Sequence, residues 1–303
     1  MAEQQVSPSE ARSLRISEIR MMAMAEIATK STGMDHWAYY VELNELKRRP
    51  LSIEWLEGVI MLAVIGRIRP ARVFGWMNKL REKREKLGQM DDFASFDTRL
   101  RNYLYPETLT NHGYDRQTFA DLDHDSVWSH VESHLSALRD EGYEVFLNSG
   151  TLLGVVRDEK LIEHDDDIDL AVILKAGTEE EAAQEWRDLK GRLQDLELFD
   201  EDNHRQAAIY KLTPAGQTQI DLFPAWVQNG KVFVYPHTHG ELALEDVLPL
   251  RKCAVTGNAL PAAPEKMLTL NYGTGWDTPD PLFKFPWAAA NDRFAPFLKR
   301  LAK

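Results

Sequence analysis

Asn148-Ser-Gly-Thr-Leu-Leu-Gly-Val-Val-Arg157, followed by His164-Asp-Asp-Asp-Ile-Asp-Leu-Ala-Val172, decides how this chain is read. The second segment alternates carboxylates with apolar residues. Successive strand side chains point to opposite faces, so Asp167 and Asp169 share one face while Ile168 and Leu170 share the other. Asp165 falls in the same period-2 set. Carboxylates held this close repel each other unless a cation lies between them. Mg²⁺ suits such a site, with Mn²⁺ an alternative, because it takes oxygen ligands and leaves positions open for phosphate. Asp166 points the other way and is expected to hydrogen-bond the preceding turn.

The first segment reads as a small-residue turn. Ser149, Gly150, Thr151 and Gly154 permit a close backbone approach, and N–H groups exposed in such turns attract phosphate oxygens. A glycine turn, a spacer and a D-x-D strand make up the layout of metal-dependent nucleotidyltransferase-type folds, which need a third carboxylate from a neighbouring strand. Gln219-Ile-Asp-Leu-Phe223 offers one: Asp221 alternates with Ile220 and Leu222. Arg157 closes the glycine motif and is expected to bind donor phosphate, since its planar fork suits bidentate recognition. Lys160 and Lys211 are the alternatives. The metal set is therefore Asp165, Asp167, Asp169 and Asp221, with Asp167, Asp169 and Asp221 carrying the chemistry.

These residues resemble the LicD/fukutin family of phosphotransferases. Pro264-Glu-Lys-Met-Leu-Thr-Leu-Asn-Tyr-Gly-Thr-Gly-Trp-Asp-Thr-Pro279 is similar to that family's closing helix and Tyr-Gly-x-x-Trp segment, so the resemblance spans roughly residues 130 to 285. It implies a CDP-activated donor of phosphocholine, ribitol phosphate or glycerol phosphate. It also implies an acceptor hydroxyl on a cell-surface glycan or glycolipid, with CMP as leaving group. Two places depart from the family pattern. Asp158, Glu159 and Lys160 replace a His-Gly-Gly type stretch, and His164 replaces a tryptophan, for which it is read as a packing substitute. These positions border the nucleotide site, so the donor alcohol stays open. The carboxylates fit equally well a nucleotidyltransferase that moves NMP from an NTP and releases pyrophosphate, since fold does not fix function. A non-catalytic binding subunit on the same fold is the third reading, and the complete carboxylate set speaks against it.

Hydrophobic content of 44% and charged content of 28% are those of an ordinary globular protein. One cysteine, Cys253, excludes an intrachain disulfide and a cysteine-rich zinc cluster. Met1-Ala-Glu-Gln-Gln lacks the basic and apolar regions of a leader. The most apolar run, Val59 to Ile65, is far shorter than the ~20 residues of a spanning helix. A cytoplasmic location follows as the expectation, with peripheral contact at the inner face of the membrane. The net charge of -12 is uneven: residues 47–86 hold eleven Lys or Arg against four Glu, a net of +7, leaving -19 elsewhere. That acidic remainder argues against nucleic-acid binding. The basic block reads first as the solvated face of a helical cap, with contact to a membrane surface or a partner enzyme as the alternative.

The expected architecture is α+β: a nucleotidyltransferase-like mixed sheet flanked by helices over residues 125–303, after a helical region and connector over residues 1–124. Helices are expected over 10–30, through Trp55 to Gly66, and over 72–88. Residues 89–124, with Pro106, Asn111 and Gly113, read as irregular. A helix from Asp125 or Ser126 to Gly142 precedes a strand to Leu147. Thr178 and Glu181 open another helix, with Ala182, Trp186, Leu189, Leu193 and Leu196 facing inward. Residues 207–212 and 218–223 read as a hairpin across Thr213-Pro-Ala-Gly216. Pro264 opens a late helix. His237 and His239 read as surface residues of a loop. Tyr272 and Trp276 read as core or pocket wall, able to stack on a base.

Overall fold

The computed structural model describes residues 7–31, 33–110, 113–115, 118–204, 206–216, 218–280 and 282–302. The chain's first residues, read for a leader, and Asn111 lie outside them. The chain divides into two units, residues 1–117 with 282–284, and residues 118–281 with 285–303.

The first unit is helical. Its helices are α1 (Pro8–Thr29), α2 (His36–Glu45), α3 (Ile53–Ile65), α4 (Pro70–Lys86) and α5 (Met90–Leu104), followed by a two-residue pair, β1 (Thr108–Leu109) with β2 (Tyr114–Asp115). Ser7 caps α1 in a capping box with Glu10, which satisfies two backbone donors at once. Helix α3 is buried nearly all round, and the other helices lay one stripe each against it. In α1 the buried stripe is Ile16, Ile19, Ala23 and Ile27, whereas Leu14 and Met22 are exposed. The segment expected to be irregular contains α5. Its Phe93, Phe96, Leu100 and Leu104 repeat at helical spacing and are all buried, so the polar residues between them are simply the solvent face. Glu57 is buried on α3 between two arginines: Arg20 contacts it at 2.6 Å and Arg84 at 2.5 Å.

The second unit is α+β. Its elements are a short 3₁₀ turn (Phe119–Asp121), α6 (His124–Asp140), β3 (Glu144–Leu147), α7 (Ser149–Arg157), β4 (Asp167–Ile173), α8 (Glu179–Asp195), β5 (Tyr210–Ala215), β6 (Thr218–Gln228), β7 (Lys231–Val234), β8 (Thr238–Ala243), α9 (Leu244–Val247), β9 (Arg251–Lys252), β10 (Ala259–Leu260), α10 (Pro264–Tyr272), α11 (Trp287–Arg293) and α12 (Ala295–Leu301). The sheet runs β3-β4-β6-β7-β8 and is mixed. Among the described residues only the β4–β6 pairing is parallel, with α8 in the crossover between them. The far edge of β6 is shared: β5 pairs with its first half and β7 with its last four residues.

Strand β5 runs on to Ala215, past the expected turn, and Gly216 takes φ +68°. The ladder shifts register between Leu212 and Ala215, which accommodates Pro214 and its missing donor. Two aromatic groups fill the core. Trp186 of α8 stacks on Tyr210 at 4.0 Å, and Trp226 of β6 lies between Phe233 and Phe297 at 5.1 and 5.0 Å. Leu196, expected to face inward, follows the end of α8 and is exposed.

Candidate active site

Register builds the site. In the parallel β4–β6 pair Asp169 stands beside Asp221, and in the antiparallel β5–β6 pair Lys211 stands beside Asp221. Residues in register share a face, so Asp169, Asp221 and Lys211 form one row across three strands. Asp167 lies two residues back on the same face. The opposite face carries Ile168, Leu170, Ile220 and Leu222, all fully buried. The alternation read from the sequence is thus what turns the carboxylates to one side.

Asp167, Asp169 and Asp221 are each buried, and one oxygen from each lies within 4.8 Å of the others. Asp165, Asp166 and Asp167 form a second trio at the same spacing, so Asp167 belongs to both. Asp166 thereby joins a ligand-like group that the sequence reading had assigned to the turn. Burial, then the charges of Asp167 and its neighbours, pushes the carboxyls of Asp165 and Asp169 well above the usual range. Lys211 Nζ sits 2.6 Å from Asp221 Oδ1. Burial draws its pKa down, but Asp221 outweighs this and keeps the ammonium charged. One lysine against this many carboxylates leaves a negative site with an all-oxygen donor set. That is the chemistry of a hard divalent cation, so the residues fit Mg²⁺ or Mn²⁺.

The expected glycine turn is a helix. Residues Ser149–Arg157 form α7, whose first turn faces β4. Gly150 N–H donates to Asp169 Oδ2 at 2.9 Å, and Asp169 N–H donates to Thr151 Oγ1 at 2.8 Å. The helix N-terminus thus holds a carboxylate with its positive end. A Cβ on Gly150 would meet Asp165 Oδ2 at 2.8 Å and Asp169 Oδ2 at 3.4 Å, so glycine is needed for this approach. Gly154, expected at phosphate, serves packing instead: a Cβ there would meet the Lys160 carbonyl oxygen at 2.7 Å and Ile162 at 2.9 Å. Thr151 is buried with its hydroxyl on Asp169, which makes it a brace for β4.

Arg157 is gripped by its neighbour. Its Nε and Nη2 donate to the two oxygens of Asp158 at 2.9 and 2.7 Å, so its fork already holds a carboxylate. Lys160 is exposed and pairs with Glu163 at 2.5 Å. His164 is exposed and therefore does not pack as a tryptophan would. Tyr272, at the end of α10, has its hydroxyl pushed well up, first by burial and then by the charges of Asp169 and Asp165, which keeps it protonated.

Three further residues belong to this neighbourhood. His237, expected on the surface, is buried in the bend between β7 and β8, with Nε2 3.4 Å from Ser149 Oγ and its ring 4.8 Å from that of Phe285. Burial, with Arg293 adding to it, pulls its pKa down to about 3, so it is neutral beside the Ser149 hydroxyl. Ser149 itself takes φ +43°, a conformation that costs a non-glycine residue about 1–3 kcal/mol. Asn148, which occupies the N-cap position of α7 without a side-chain cap bond, and Asn271, on α10, are buried, and among the described residues their side-chain amides have no partner. Buried polar groups are nearly always paired, so these two call for an explanation. Nothing in a Pro-His-Thr-His loop marks His237 out. Asn148 could have been found from its place before the glycine motif.

A mixed sheet with carboxylates on two adjacent parallel strands, braced by the N-terminus of a helix, defines a nucleotidyltransferase-type domain. Residues 142–265 match the family model described as LicD/FKTN/FKRP, nucleotidyltransferase domain, so this segment of the chain is similar to that family. The family is one of phosphotransferases and nucleotidyltransferase-like enzymes. The match covers β3 to the start of α10 and contains the three carboxylates. No curated protein matches the chain. Among the described residues no helix is long and apolar enough to cross a membrane.

Proposed function

We propose that this domain transfers an alcohol phosphate, such as phosphocholine, ribitol phosphate or glycerol phosphate, from a CDP-activated donor to a hydroxyl of a cell-surface glycan or glycolipid. The observation that carries the proposal is the convergence of Asp167, Asp169 and Asp221 within 4.8 Å inside the family-matched segment. These three, with Asp165, would hold Mg²⁺ or Mn²⁺, which when bound supplies charge neutralisation at the donor diphosphate.

The chain's own groups supply the rest. Asp221 accepts the proton of the attacking hydroxyl while Lys211, 2.6 Å away, balances its charge. The new bond forms at the phosphorus distal to the cytidine, the bridging P–O bond breaks, and CMP takes the bonding pair. Asn148 and Asn271 have amides free to bind donor oxygens. Gly150 fixes Asp169 through its N–H, so the helix end orients a ligand carboxylate rather than cradling phosphate directly.

Phosphorus NMR of the full chain with Mg²⁺ and a panel of CDP-alcohols and NTPs, beside Asp167→Asn, tests this. Metal-dependent CMP release from one CDP-alcohol, absent in the variant, is the expected result. Pyrophosphate from an NTP would replace the proposal with nucleotidyl transfer. No turnover and no Mg²⁺-dependent nucleotide binding would leave a non-catalytic binding subunit.

A further inference from the structure

The helical unit gathers basic side chains around one cavity. Lys47 and Arg49, from the connection between α2 and α3, face Lys79, Lys83 and Lys86 of α4 across a cavity of about 340 Å³. The three α4 lysines are spaced four and three residues apart, which places them on one helix face. A single acid, Glu82, joins the lining. Five arginines elsewhere in the unit are matched to acids: Arg15 to Glu42, Arg20 and Arg84 to Glu57, Arg67 to Glu107, and Arg101 to Asp97. Among the described residues none of the five pocket cations forms an ion pair; Lys47 lies over the Trp55 ring at 5.2 Å. Five like charges held together beside a single acid raise the energy of the free protein and are relieved by an anionic ligand.

The apolar surroundings separate a lipid surface from a soluble anion. Leu87 follows directly on Lys86 and is 60% exposed, and Met90 is 41% exposed. Pro50 and Leu51 complete the pocket wall. Cations flanked by exposed apolar side chains match the boundary between headgroups and acyl chains. The remainder of the chain, at -19, is repelled by an anionic bilayer, so contact is confined to this patch.

We infer that the pocket formed by Lys47, Arg49, Lys79, Lys83 and Lys86 docks the helical unit on an anionic lipid surface, lipid phosphates entering the pocket and Leu87 and Met90 entering the boundary layer. This does not depend on the proposed reaction, because every residue involved lies in the helical unit.

Flotation of the full chain with phosphatidylcholine vesicles, with and without phosphatidylserine, tests the inference. Three proteins are compared: the native chain, K79Q/K83Q/K86Q, and a control, K252Q/K266Q/K299Q, whose lysines are exposed elsewhere. The native chain and the control float with the anionic vesicles only, and less so as salt is raised. The α4 triple variant, melting as the native chain does, loses about a hundredfold in partitioning, at the usual contribution of each basic residue near such a surface. Absence of native flotation overturns the inference, as does a triple variant that floats like the native chain. Lysine-dependent binding of inorganic phosphate without vesicle binding overturns it too, and would make the pocket a site for a soluble anion.

Discussion

Two glycines in one helix are assigned opposite work, and alanine at each separates them. At Gly150 the added Cβ meets Asp165 Oδ2 at 2.8 Å, the far end of a side chain that can turn aside. The fold then loses little, but Asp165 is pushed from its place beside Asp167 while Asp169, at 3.4 Å, is only touched. At Gly154 the Cβ meets a backbone oxygen, Lys160 O, at 2.7 Å, and backbone cannot turn aside. Overpacking of that kind costs about 1–3 kcal/mol, or roughly 2–12 °C in melting temperature for a unit of this size. Displacing a group that orients a metal ligand costs about 10–100-fold in affinity. Gly150→Ala is therefore expected to melt within about 2 °C of the native chain and to bind Mn²⁺ at least about tenfold more weakly. Gly154→Ala should melt lower and, below its transition, bind Mn²⁺ as the native chain does. Scanning calorimetry and Mn²⁺ titration read the two quantities. The reasoning fails if Gly150→Ala binds Mn²⁺ normally, or if Gly154→Ala weakens binding without lowering the melting temperature.

Glu57→Ala leaves Arg20 and Arg84 facing each other around a buried site; a loss of about 3–5 kcal/mol in urea unfolding is expected, and a loss under about 1 kcal/mol would contradict the buried pairing. His237, with its folded pKa depressed from 6.5 to about 3, contributes stability that is present above 6.5 and lost as pH falls towards 3. Relative to the native chain, His237→Gln should regain stability over that window, and parallel pH–stability curves would refute the buried neutral imidazole. In the metal-free chain the raised carboxyls of Asp165 and Asp169 act oppositely: their repulsion is largest at neutral pH and relieved by protonation as pH falls. Since a cation needs them ionised, the stabilisation given by Mg²⁺ should shrink as pH is lowered, as thermal shifts would show. Lys211→Met removes the cation paired with Asp221, so the metal-free chain should melt lower and gain more from Mg²⁺; an unchanged Mg²⁺ increment would argue against Lys211 as the balancing charge.

What the sequence carried of the site was period and chemistry. Asp167, Asp169 and Asp221 were legible because each interrupts apolar residues at a spacing of two, and that spacing puts a carboxylate and a core residue on opposite faces whatever the tertiary fold. The resemblance to the LicD/fukutin family, carried by the same residues, agreed with the family match. The glycine segment misled because Gly150 and Gly154 suggest a turn when read alone, whereas α7 uses one to approach a carboxylate and the other to pass a backbone carbonyl. Helix α5 was legible in Phe93, Phe96, Leu100 and Leu104 but was masked by its polar face. His237 could not be read at all. Its place beside Ser149 comes from the bend between β7 and β8, a long-range product of strand order that no local pattern announces.

A divalent cation held by carboxylates of β4 and β6 is the centre of the proposed chemistry. Electron paramagnetic resonance of Mn²⁺ titrated into the native chain and into Asp169→Asn, with and without a CDP-alcohol, asks this most directly. The native chain should sequester Mn²⁺, more tightly with the nucleotide present, and Asp169→Asn should leave the ion free in solution. Equal binding by the two proteins, or none by the native chain even with nucleotide, would contradict the account.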